Sequence, residues 1–158
     1  MPSVKLPAPH SPMNKLDSIL ANVEPGSRVG VVTMLGSLCP ITLGHVQAFV
    51  EARRLLLGEA GVPRPARLEP FSAVVGLISL NSDGSVGAKL EKKGVASLSY
   101  EQRLGLVQMA VQEHPWLGWE GSEGKMLQEF QRRHPRLVFE HFYMNGADDV
   151  LRYAKYED

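Results

Sequence analysis

Val29 to Met34 is an apolar run that leads directly into Gly36-Ser37-Leu38-Cys39-Pro40-Ile41-Thr42-Leu43-Gly44-His45. An amphipathic run, Val46 to Leu57, leads directly out. This order predicts a buried strand, a tight Gly/Pro turn and a helix with Thr and His in its first turn. Free backbone N–H groups and the helix dipole at such a start favour an anion. Thr42 and His45 are three residues apart, so on a helix they share one face. An imidazole held beside a phosphate points to phosphoryl or nucleotidyl transfer.

The rest of the chain extends the same alternation. Asn14 to Val23 carries apolar residues at helical spacing, and Pro25-Gly26 ends it. Ser72 to Leu80 is a second apolar run, β-branched in its middle, and reads as a buried strand. Ser99 to His114 reads as a helix, with Ser99 as N-cap and Gln102 in capping-box position. A short strand over Trp116–Glu120, a helix over Ser122–Arg133 and a strand over Leu137–Met144 follow. After Asn145-Gly146-Ala147-Asp148-Asp149 a last helix is expected from Val150.

Strand alternating with helix predicts an α/β fold with a parallel sheet. If the strand order is 3-2-1-4, the turn at Gly36 and the turn at Gly146 open onto one crevice beyond the carboxyl ends of the strands. Residues 1–26 are expected as a flexible lead with a short helix. Residues 27–158 are expected as the domain.

The composition narrows the function classes. With 158 residues, 44% of them hydrophobic, the chain has enough material for one packed core. Lys+Arg and Asp+Glu both number 17, so nothing draws the chain in bulk to nucleic acid or an anionic membrane. Neither is expected as a partner. Cys39 is the one cysteine, which leaves no internal disulfide and no cysteine-rich metal site. No leader-like pattern opens the chain and no apolar stretch approaches a membrane span. A reducing intracellular location, cytoplasmic or nuclear, is the expectation. His10, His114, His134 and His141 show no metal-ligand spacing, and no protein-held metal is expected. Trp116 and Trp119 read as core rather than as ring-stacking platforms.

The segment from Gly36 to His45 resembles the signature of the nucleotidylyltransferase superfamily. Its Pro40-Ile41-Thr42 form is similar to the nicotinamide or nicotinate mononucleotide adenylyltransferases. Gly76-Leu77-Ile78-Ser79, then Asp83 and Lys92-Lys93-Gly94, resemble that family's second strand and lysine-rich loop. Gly146-Ala147-Asp148 resembles its Gly-Ala-Asp turn, and Arg103 falls near a helical Arg of the family. The resemblance implies a Rossmann-like sheet with flanking helices. It implies adenylyl transfer from ATP, with Mg²⁺ on the phosphates, to a pyridine mononucleotide, giving NAD or its deamido form and pyrophosphate. His45 would donate to an α-phosphate oxygen and Thr42 would help hold the triphosphate. Gly36 and Ser37 would let backbone approach the nucleotide. Lys92 and Lys93 would neutralise phosphates, Arg103 would sit in the binding set, and Gly146 and Asp148 would lie at the adenosine.

The chain also departs from that pattern. Leu38 and Cys39 stand where the family has Phe and then Asn or Asp. Val74 and Val75 occupy the stretch that often holds a phosphate-binding Lys, and Leu80 follows Ser79 where Pro is usual. Lys89-Leu90-Glu91 replaces a Tyr. The family continues with a fifth strand and a Ser/Thr-rich motif ending in Arg, so the resemblance implies a domain truncated at its C-terminus. Two alternatives to the adenylyltransferase remain. One is another nucleotidylyltransferase, and the other is a catalytically silent nucleotide-binding or interaction module. Val138 to Tyr143 would then be a bare edge strand, which predicts self-association into a homo-oligomer or marginal solubility.

Overall fold

The computed structural model describes residues 12–36, 41–63, 65–80, 98–120 and 125–144. Four helices and four strands alternate in this part of the chain. They are α1 (Pro12–Leu20), β1 (Arg28–Gly36), α2 (Leu43–Leu57), β2 (Ala73–Leu80), α3 (Tyr100–Val111), β3 (Leu117–Glu120), α4 (Met126–Arg133) and β4 (Val138–Tyr143). All strand pairs are parallel and the order is β3-β2-β1-β4. This is a Rossmann-like α/β sheet with the strand order that the crevice argument required. β1 and β4 are neighbours, and Met144 N–H donates to the carbonyl of Thr33 (2.8 Å), carrying the pairing one residue past β4.

Side chains alternate between two covered faces, as strand geometry demands. Val32, Val74, Ile78 and Leu80 point to the side where Phe49 and Leu56 of α2 and Val107 and Val111 of α3 pack. Val29, Val31, Val75 and Leu77 point to the other, against Leu16 and Leu20 of α1 and Phe130 of α4. α2 rests closely on β2 because Gly76 has no side chain. A Cβ there would lie 2.7 Å from Leu117 Cδ1 and 2.8 Å from Phe49 Cδ1, and both of those side chains are fully buried. Leu56 is buried at the end of α2 with Leu57 half-buried beside it, and Gly58 closes that helix at φ 71°.

The helix boundaries follow local chemistry. Ser99 Oγ accepts from Gln102 N–H (3.1 Å) and Gln102 Oε1 accepts from Ser99 N–H (2.9 Å), the reciprocal cap that the sequence predicts. α3 ends at Val111, three residues before the expected His114. α4 starts at Met126, so Lys125 and not Ser122 precedes it.

Of the segment expected as a lead, residues 12–26 are described, and they pack on the sheet. Leu16 and Leu20 of α1 are fully buried in the core, so α1 is part of the folded unit rather than a flexible lead. Two polar clips fix α1 from the sides. Lys15 Nζ donates to the carbonyls of Val111 (2.7 Å) and Leu117 (2.6 Å), tying α1 to the end of α3 and the start of β3. Asp17 takes His134 Nε2 (2.8 Å) and Arg133 Nη1 (2.5 Å), tying α1 to the end of α4. Among the described residues, no helix is long and apolar enough to cross a membrane.

Candidate functional site at the carboxyl ends of the strands

Thr42 and His45 come together at the start of α2. Thr42 is the N-cap residue, extended at φ −118° and ψ 166°, and His45 is the third residue of the helix. The backbone N–H of Thr42 donates to His45 Nδ1 (2.9 Å), and Thr42 Oγ1 lies 3.0 Å from the same nitrogen. A backbone N–H can only donate, so Nδ1 must be unprotonated. The proton of the neutral ring is therefore on Nε2, which is left as a donor. Burial holds the imidazole pKa below its ordinary value. Protonating Nδ1 would also set a second donor against Thr42 N–H. Thr42 is exposed and His45 is half-buried, so neither is lost to the hydrophobic interior.

Other expected site residues fare differently. Gly36 ends β1, half-buried, at the carboxyl edge beside β4. Ser37, Lys92, Lys93, Gly146 and Asp148 lie outside the described residues, as do Cys39, the expected loop at Asn81–Ser85 and the expected helix from Val150. Arg103 is buried on α3. Its side chain has no exposed surface, and its guanidinium carbon lies 5.6 Å from the Tyr100 ring centroid. A fully buried guanidinium needs charge or hydrogen-bond partners around it. Trp116 is core, 8% exposed, with the Arg53 guanidinium over its ring at 5.0 Å. Trp119 is half-buried against the same core.

A second group of polar side chains occupies the opposite face of the same edge. Thr33, Ser79 and Glu120 are each less than a tenth exposed. Ser79 Oγ donates to Glu120 Oε1 (2.9 Å), and Glu120 Oε2 accepts from Met126 N–H (3.1 Å). Lys125 gives α4 no side-chain cap, so the Glu120 carboxylate caps that helix from the neighbouring strand. Thr33 Oγ1 lies 2.6 Å from His141 Nε2, and the His141 ring stands edge-on to Tyr143. With Leu35, Leu127 and Gln128 these residues line a cleft of about 240 Å³.

Sequence reading tested His141 only for metal spacing and passed over this cleft. The available signal was a polar residue at an inward position of each buried strand, Thr33 in one and Ser79 in the next. Among the described residues, no three His, Cys, Asp or Glu side chains gather as a cation cage. No protein-family model matches the sequence, and no curated protein matches it.

Proposed function

We propose that the chain transfers an adenylyl group from MgATP to nicotinamide or nicotinate mononucleotide and releases pyrophosphate. The mononucleotide's 5′-phosphate oxygen forms a bond to the α-phosphorus of ATP as the bond to pyrophosphate breaks, so no covalent enzyme intermediate is needed. Mg²⁺ enters with the triphosphate as part of the substrate. The observation that carries this reading is the lock of His45 Nδ1 on Thr42 N–H. It sets a neutral imidazole at the start of α2 with Nε2–H available to a phosphate oxygen. That oxygen gains negative charge in the transition state, where a pre-set donor has its effect. The helix start adds its dipole in the same direction. The position beyond the carboxyl end of β1, with β4 alongside, is where parallel sheets of this kind take ligands.

Pyrophosphate release from ATP with each mononucleotide tests the reading. The unaltered chain is expected to release it, and His45→Ala is expected to lower the rate by about 10²–10³-fold, the usual size for one lost transition-state donor. Thermal melts of both proteins check that the variant is folded. The rate should also fall on acidification below pH 6.5, as His45 gains a proton and loses its lock. Equal release by both proteins would defeat the proposal. ATP raising the melting temperature with no turnover would favour the catalytically silent nucleotide-binding module.

A further inference from the structure

We propose that the cleft between β3, β4 and the start of α4 binds a neutral polyhydroxylated ring, either a free monosaccharide or the ribose of a nucleoside. The inference comes from the make-up of its walls. Ser79 and Thr33 supply hydroxyls, Glu120 a carboxylate, Gln128 an amide, and His141 and Tyr143 a ring nitrogen and a phenol. Among the described residues, no lysine or arginine lines it. A phosphate would therefore meet the Glu120 charge without a lysine or arginine to offset it.

A sugar hydroxyl both donates and accepts, which matches this mixture. Each Glu120 oxygen has one described donor, Ser79 on one and Met126 N–H on the other. A carboxylate oxygen has two acceptor sites, so each can still take a hydroxyl, and adjacent hydroxyls on a ring suit such a pair. The three innermost groups, Thr33, Ser79 and Glu120, are more than nine-tenths buried and are held by hydrogen bonds, so they need little ordering on binding. Leu35 and Leu127 offer an apolar surface for the C–H face of a ring. A cleft of about 240 Å³ holds one ring of this kind and falls short of the volume that larger ligands fill. It lies on the face opposite α2, so the inference stands independently of the role of His45.

Amide NMR titration of the whole 158-residue chain with ribose, glucose, adenosine and inorganic phosphate tests it. At least one sugar-bearing probe should give saturable shifts centred on residues 33, 79, 120 and 141–143, and phosphate should give none there. Adenosine alone binding identifies a nucleoside, whereas ribose or glucose binding identifies a free sugar. Glu120→Gln should weaken binding about tenfold. Because Glu120 also caps α4, Tyr143→Phe on the exposed rim is the second variant, expected to weaken it a few-fold with the fold unchanged. No saturable shift from any sugar-bearing probe, shifts centred elsewhere, indifference to both variants, or displacement by phosphate would each overturn the assignment.

Discussion

The face of the sheet under α2 and α3 is closed by interlocking apolar side chains. The face under α1 and α4 has fewer of them and adds polar clips. On the first face Phe49 fills the space left open by Gly76, and α3 carries its own cap in Ser99 and Gln102. On the second, α4 spans only eight residues and takes its N-terminal acceptor from Glu120 on β3. α1 is held by Lys15 and Asp17. A short helix buries too little apolar surface to be fixed by packing alone, so directional contacts supply the rest. Charge and pH should therefore act on the second face, while volume should act on the first.

The strongest challenge to this contrast is Phe49→Ala. It should cost about 3–5 kcal/mol, seen as a lower urea midpoint with unchanged slope. A loss no larger than that of a surface substitution would erase the distinction. Gly76→Ala comes next. Its methyl group would come within 3 Å of two fully buried side chains, which must shift, costing about 1–3 kcal/mol in the same assay.

Lys15 probes the other face. Burial lowers its ammonium pKa from 10.5 to about 8. Below about pH 8 both the folded and the unfolded chain hold the proton, and the cost of burying the charge is fully present. From there to pH 10.5 the folded chain releases it first, so stability rises with pH. The gain is about 1 kcal/mol after discounting for the water that still reaches the amine. Melting curves across this range should show the rise in the unaltered chain and lose it in Lys15→Met. The smallest effect belongs to Glu129. Arg132 and Arg133 hydrogen-bond its exposed carboxylate and lower its pKa to about 2, yet Glu129→Gln should shift the melt only slightly, and not at all in high salt.

Local signals carried much of this architecture. The apolar strands, the Ser99 cap and the start of α2 are written in neighbouring residues, and the alternation of elements implied a parallel sheet before its order was known. The pairing of Thr42 with His45 also follows from their spacing, although the direction of the Nδ1 bond does not. What escaped was everything made by residues far apart in the chain. Thr33 meets His141 and Ser79 meets Glu120 only because the sheet order brings those strands together. The role of Lys15 carries no sequence signal, because its two acceptors are main-chain carbonyls, which leave no trace in side-chain patterns. The full burial of Arg103 on α3 is likewise set by packing that its neighbours in sequence do not reveal.

The strand order has a consequence for how the molecule assembles. β1 can zip to β2 once residue 80 exists, but its other flank stays empty until residues 138–143 arrive. Throughout that interval an apolar strand at the centre of the sheet offers a row of unsatisfied peptide groups to any passing chain. Docking of the fourth strand covers that flank and moves the open edge outward to β4.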